Sequence, residues 1–334
     1  MAPADRMSYE WTMRLFLQQF FAIARLALLE TLRQPVVMLI TLVCLVFIAL
    51  LPVLITHVMG DGQRIVRDSA LAIHLMAGLI LGSYAACASL RDEVRRGTAS
   101  AVLSKPVGRD LFLLAKFAGL ALVMILFSTL LALAVILTAR TAAQDYIFDW
   151  WGAAPLLAAI LGALVIGGLQ NFLLQKPFAS RAFGALLILV PLALLASGLY
   201  DDQGARTADF GVALSWVSLP ASLLITMAIL LLAGCSVSLA TRLDVVPTLA
   251  CCAALLMGGL MADYLLGQAA RDHFGAALLY GLLPNFQHFW AVDALARGEI
   301  PWSYVGQAAE YGALYLAGIL GLGIVAFRHM ELRG

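Results

Sequence analysis

"LFLLAKFAGLALVMILFSTLLALAVILT", Leu111 to Thr138, decides the class of this chain, because Lys116 is the one charged residue in it. At about 1.5 Å of rise per residue, a helix over this stretch is about 42 Å long, more than the ~30 Å hydrocarbon core of a bilayer. The rest of the chain agrees. Of 334 residues 63% are hydrophobic and only 12% charged, and the mean hydropathy is +0.94. A soluble domain carries about 25% charged residues, so this chain cannot cover a globular surface with polar groups. It reads as an all-α polytopic membrane protein, since a backbone in lipid must satisfy its own hydrogen bonds.

Working outward, runs long enough to cross are predicted at 36–56, 70–90, 111–138, 153–174, 182–200, 216–240, 247–267 and 303–327. Eight crossings put both termini on one side. The run 182–200 is the shortest, and losing it with a neighbour would leave six crossings and the same orientation. Of the 21 Lys and Arg, all but Arg64, Arg67, Arg140, Arg206, Arg271 and Arg297 fall on the side of the termini, which is therefore predicted to be cytoplasmic. The opposite loops are acidic, with Asp145, Asp149, Asp201, Asp202 and Asp209.

Residues 1–35 read as a cytoplasmic N-terminus without a signal-peptide pattern. In "EWTMRLFLQQFFAIARLALLE", Glu10, Arg14, Gln18 and Arg25 share one side of a helix, and Trp11, Leu15, Phe16, Phe20, Ile23 and Leu26 cover much of the rest. That pattern predicts an interfacial helix, ended by a break at Gln34-Pro35. Residues 36–334 form the transmembrane domain. Its cysteines, Cys44, Cys87, Cys235, Cys251 and Cys252, show no CxxC spacing and read as small buried hydrophobes.

Between two oily spans lies "RDEVRRGTASAVLSKPVGRD", Arg91 to Asp110. Gly97 breaks the second span, Thr98 is placed to cap a short helix through Ala99 to Ser104, and Pro106 with Gly108 turns the chain back. Asp110 is then expected to cap the third span. A short helix held between two spans would move with them when pushed. The plainer reading is that these basic residues fix topology and bind anionic headgroups.

The order of residues in "EVRRGTASAVLSKPVGRDLFLLAKFAG" resembles the first cytoplasmic loop of ABC-2 type permeases, the membrane subunits of a class of ATP-driven exporters. The matching positions are Glu93, Gly97, Thr98, Leu103, Pro106, Arg109 and Lys116. The stretches "LPNFQHFWAVDALARGEIPWSYVGQAAEYGALYLAG" and "FRHMELRG" are similar to the end of permeases of the copper-enzyme-maturation subgroup. The resemblance implies a six-span core, to which residues 149–200 add a pair, and a coupling helix in loop 91–110 that docks on a nucleotide-binding subunit. It also implies a bacterial cytoplasmic (inner) membrane location and a cytoplasmic P-loop ATPase partner in two copies, which would bind the ATP and Mg. A second permease copy would complete a homodimer. The chain itself has no GxxxxGK[ST] motif, so it is read as a transport subunit with no cofactor and no enzymatic site of its own.

On the outer side, 268–302 contains "FGAALLYGLLPNF", too short to span, which predicts a re-entrant or interfacial segment. By resemblance Phe286, Phe289 and Trp290 line the base of an outer gate; an aromatic belt at headgroup level is the alternative. Glu310 lies inside the last span, where a carboxylate is costly unless it faces a partner or a wet cavity. Asp263 is near enough to its span end to reach water, and Gln170 with Asn171 reads as interhelical glue. Asp272, His273, His288 and Asp293 match no metal-ligand spacing. The short basic loops are not a nucleic-acid footprint. Two further readings stay open: an ion-gradient-driven transporter, which calls for paired intramembrane carboxylates, and a scaffold for envelope-protein maturation. Membrane lipids are partners under all three.

Overall fold

The computed structural model describes residues 3–55, 61–95, 108–143, 149–201 and 203–328. The described residues form helices joined by loops, with one isolated bridge between Tyr200 and Arg206. In order, the helices are α1 (Pro3–Arg33), α2 (Pro35–Leu54), α3 (Gly62–Arg95), α4 (Arg109–Thr141), α5 (Trp150–Leu174), α6 (Phe178–Ser197), α7 (Ser218–Ala240) and α8 (Val245–Leu260). They are followed by the short α9 (Ala262–Leu266), α10 (Ala269–Asp272) and α11 (Phe274–Leu282), a 3-10 turn over Phe286–His288, α12 (Val292–Arg297) and the long α13 (Trp302–Arg328).

Among the described residues eight helices are long and apolar enough to cross a membrane. Seven of them coincide with the spans predicted above. The eighth differs: residues Arg14–Arg33 of α1 meet the criterion, whereas the predicted span 247–267 does not form one helix. Instead α8 has 16 residues, about 24 Å, and the chain turns at Met261 before α9. The cause lies at Gly259. A Cβ there would come within 2.3 Å of the Pro284 carbonyl oxygen and 2.5 Å of the Phe286 ring, so the returning chain docks on the helix where there is no side chain. The helical stretch expected in the interface is continuous with α1, which ends at the predicted break: Gln34 is extended and Pro35 opens α2.

Helices α3, α4 and α7 are the most buried, and α4 packs against α1, α2, α3, α5, α6, α7 and α13. Lipid tails are as apolar as these side chains, so contact comes from close van der Waals fit and a few interhelical hydrogen bonds rather than from hydrophobic expulsion. Ser83 of α3 and Ser236 of α7 lie 3.2 Å apart, Cys252 of α8 is 3.2 Å from the same Ser236 hydroxyl, and Ser238 donates to the Ile319 carbonyl of α13 at 3.2 Å. On the far side, Gly119 of α4 lets α1 approach until the Ala24 carbonyl would be 2.5 Å from a Cβ. Cys251 is exposed on α8, unlike the other four cysteines, which are buried as expected.

One end of the bundle carries Arg33, Lys116, Lys176, Arg181, Arg242 and Arg328 and is called the basic end below. At the opposite end α4, α5 and α6 are joined by an ion pair. Arg140 is 2% exposed; its Nε donates to Asp149 Oδ2 at 2.7 Å, while its two terminal nitrogens donate to the carbonyls of Ser197 and, at 2.8 Å, Asp201. The other Asp149 oxygen accepts from the Gly152 N–H at 3.0 Å and caps α5. Residues read from sequence as loop charges are thus the joint of three helices. Removing one partner of a buried pair typically costs about 3–5 kcal/mol because the other charge is stranded. Arg140→Met is therefore expected to destabilise the protein by about that much, and Arg140→Met with Asp149→Ser, which keeps a cap but no charge, by less. Unfolding by SDS titration in bicelles measures both.

Candidate functional site

The segment from α9 to α12 folds back between the helices at the end opposite the basic one. Phe286 and Phe289 are 1% and 2% exposed, and with part-buried Trp290 they close against Leu75 of α3, Ile225 and Ala228 of α7, and Leu256 and Leu260 of α8, leaving no room for a water molecule. Ile225 and Ala228 lie seven and ten residues into α7, so the 3-10 turn reaches about 10–15 Å below the start of that helix. Non-helical backbone at such depth is tolerated because protein surrounds it. The aromatic residues are therefore inside the bundle, not in a belt at its rim.

Polar contacts hold the segment in place. Asp263 Oδ1 accepts from the Tyr280 hydroxyl at 2.6 Å and from Asn285 Nδ2 at 2.8 Å. The Asn285 N–H donates to the Tyr311 hydroxyl of α13 at 2.8 Å, and its Oδ1 takes the Gln287 N–H at 3.0 Å. Gln287 Nε2 donates to the Leu260 carbonyl at 2.6 Å, satisfying an orphan at the end of α8. Tyr304 and Tyr315 donate from α13 to the carbonyls of His288 and Gly281. The ring of Tyr311 meets those of His288, edge-on, and of Phe289 and Tyr315, tilted, with centroids 4.7–6.0 Å apart. Asp263 is exposed, as expected, and its carboxylate also anchors two of these bonds.

The hydrogen bond to the Asp263 carboxylate holds the Tyr280 phenol above its ordinary pKa. A raised phenol pKa favours the neutral form in the folded state, so this contribution is complete below about pH 10 and disappears as pH rises through the folded value.

At the basic end, Asp110 does not cap α4: Gly108 is the N-cap residue, and Asp110 sits inside the first turn paired with Arg328 of α13. Arg328 Nε donates to Asp110 Oδ1 at 2.7 Å and Arg109 Nη1 donates to the Arg328 carbonyl at 2.9 Å. Phe112 and Phe327 stack beneath them, 6.1 Å between centroids. One turn deeper, buried Lys116 reaches Glu30 Oε2 of α1 at 3.3 Å and lies over the Phe112 ring. The first turns of α4 are thus tied to α1 and α13 directly after the loop singled out from sequence. Of that loop's residues, Glu93 falls in the last turn of α3, Arg109 opens α4, and Gly97, Thr98, Leu103 and Pro106 lie outside the described residues.

Other expected sites are dispersed. Glu310 is exposed on the outer face of α13, with no hydrogen bond or ion pair among the described residues. Asn171 does not join helices: it donates to the Lys176 carbonyl and closes the α5–α6 turn, and Gln170 Oε1 is buried without a donor. No His, Cys, Asp or Glu group suited to a metal occurs among the described residues. Sequence reading passed over His74, fully buried in α3 edge-on to Phe127, with neither ring nitrogen hydrogen-bonded. A lone histidine in an apolar run was the available signal. Comparison of the chain with protein-family models and with curated proteins finds no match.

Asp263→Ala removes an acceptor shared by two donors and is expected to speed amide exchange over 274–290 roughly fivefold, the worth of about 1 kcal/mol for a net hydrogen bond, with α3 and α7 unchanged. Gly259→Val should displace the turn 284–289 itself, since neither the Pro284 carbonyl nor the Phe286 ring can clear a new Cβ without moving. Hydrogen-exchange mass spectrometry reads both effects.

Proposed function

We propose that this chain is the membrane-spanning permease subunit of an ATP-binding cassette transporter of the ABC-2 type, an exporter driven by a separate ATPase through loop 91–110. The observation that carries the reading is the clamp at the start of α4. Ties from α4 to Glu30 and Arg328 mean that a displacement of the loop is delivered at once to α1, α4 and α13, and through α3 to the core. The motif resemblance of Glu93 to Lys116 supplies the kind of partner: a cytoplasmic P-loop subunit in two copies, holding ATP and Mg. At the far end of the same helices, the turn carrying Phe286, Phe289 and Trp290 is closed without space for water, as an outer gate at rest would be. A second permease copy would complete the transporter, in a bacterial inner membrane with the basic end cytoplasmic.

Gradient-driven transport is the second reading, favoured by the unpartnered carboxylate of Glu310. It calls for coupled ionisable groups around a midplane site. Among the described residues Lys116 and Arg140, the buried cations of the bundle, sit instead near the two ends of α4.

The test is gentle purification of the tagged chain from its native membrane. ATPase activity and a P-loop subunit are expected to travel with the wild type and to be lost on deletion of Thr98 to Ser104. Glu93→Lys and Gly97→Trp should insert normally but uncouple hydrolysis from transport. An intact protein that brings down no ATPase would reject the reading, and transport by the purified chain alone would put Glu310 first.

A further inference from the structure

Helix α13 uses one of its faces inside the chain. That inner face is occupied by the returning segment and by α7: Tyr304 and Tyr315 donate to carbonyls of the segment, and the Ile319 carbonyl accepts from Ser238. The outer face carries Gly306, Glu310, Ala313, Ala317 and Gly321, all exposed, at spacings of three and four that keep them in one line along the helix. Gln307 is exposed beside this line, three positions before Glu310 and so its neighbour on the helix surface.

Depth makes this face unusual. Glu310 lies about 12 Å along the helix axis from Trp302 and about 27 Å from Arg328. Two residues on, a Cβ at Gly312 would come within 3.2 Å of the Phe289 ring, so Glu310 stands near the depth of the 3-10 turn enclosed by α3, α7 and α8. Its carboxyl therefore faces the hydrocarbon layer, too far below the outer headgroups for so short a side chain to reach them. Neither Glu310 nor Gln307 has a hydrogen bond or ion pair among the described residues. An ionisable group at such depth is costly unless it meets a partner, and an acyl chain has no donor to offer a carboxyl. The small residues point the same way. A Cβ at Gly306 or Gly321 would meet nothing within 4 Å, so no described part of the chain uses the space they leave, whereas Gly119 and Gly259 each admit a neighbour. Helices associate in lipid where small residues let backbones approach and polar side chains bond across the contact.

We propose that a second copy of the chain docks on this face, α13 against α13 in parallel about a two-fold axis along the membrane normal, with Gln307 of each copy donating to the Glu310 carboxyl of the other. Two arguments select a second copy as the occupant. Both copies insert with the basic end on the same side, so the other copy brings its Gln307 amide to the depth at which Glu310 lacks a donor. One amide and one carboxyl on a shared face are also self-complementary, as an isologous contact requires. Ala313, Ala317 and Gly321 then let the two backbones approach below the polar pair. The inference names the surface for the second permease copy and rests on that reading only for the copy's existence; it uses no residue of loop 91–110.

Disulfide trapping in native membranes tests it, on the tagged full-length chain carrying Cys251→Ser, which removes the exposed cysteine. Ala313→Cys and Ala317→Cys should each give a covalent dimer on mild oxidation, and Leu169→Cys, exposed on α5, should not. Dimerisation of the purified chain in liposomes, counted by single-molecule photobleaching, should weaken about tenfold in Glu310→Leu and in Gly321→Leu. Glu310→Gln keeps an acceptor for Gln307 and should stay near wild type. Gly321→Leu fills open space in the single chain, so unchanged unfolding by SDS titration separates loss of the contact from loss of the fold. A covalent product with a different polypeptide, a dimer joined only through Cys251 of the unmodified chain, or no dimer at 313 or 317 would overturn the proposal. ATPase co-purification from the same membranes is read separately, so this surface can fail while the permease reading stands.

Discussion

The pairing of Arg140 with Asp149 is the constraint around which the rest of the bundle is arranged. A guanidinium buried at the end of a membrane helix is tolerable only if its donors are used, and here the carboxylate of Asp149 and the carbonyls of Ser197 and Asp201 use them. Because those acceptors come from the start of α5, the end of α6 and the loop beyond, one side chain fixes where three segments end. The same carboxylate caps α5, so the helix start and the ion pair stand or fall together. Stacking of Trp151 on Tyr200, 5.1 Å between centroids, seals the joint from outside.

The basic end follows the same logic with looser terms. Asp110 with Arg328 is exposed, and water and salt screen such a pair until it adds little to stability; its importance is geometric, since it fixes α13 to the first turn of α4. Lys116 is different, because its ammonium is out of solvent and needs Glu30. Helix α4 is therefore held by charge at both ends and by close packing between them. The segment 262–300 contrasts with this, being held chiefly by hydrogen bonds to its own hub at Asp263 and to tyrosines of α13, bonds that can be exchanged one at a time.

Much of the architecture was legible from apolar run lengths, because a bilayer imposes a minimum length that composition reveals directly. The run 247–267 misled for a physical reason: hydropathy sees Gly259 as neutral, whereas its lack of a side chain is what admits the returning chain where α8 ends. Pairings across the fold were illegible. Asp110 and Arg328 are 218 positions apart in sequence, and Arg140 with Asp149 looked like ordinary loop charges flanking a turn. Phe286, Phe289 and Trp290 were recognisable as a cluster because aromatic residues crowd a short polar-ended segment, but Asp263, Tyr280 and Asn285 were not seen to belong to one network. A carboxylate in an otherwise apolar run was the hint at Asp263. The residues of loop 91–110 were readable as a motif, and of them Arg109 and Asp110 enter the contacts described.

Lys116 and Arg140 set a fixed ruler inside the protein. They are 24 positions apart on one continuous helix, a separation of about 36 Å, against ~30 Å for an average hydrocarbon layer. With α4 upright both charges therefore clear such a layer at its two edges. A thicker layer would draw them into hydrocarbon, and long cations usually escape that by snorkelling, but neither of these can, since each is already committed to partners inside the bundle. Lys116 and Arg140 thereby set an upper bound on the membrane thickness that α4 accepts, and every helix bound to its two ends shares that bound.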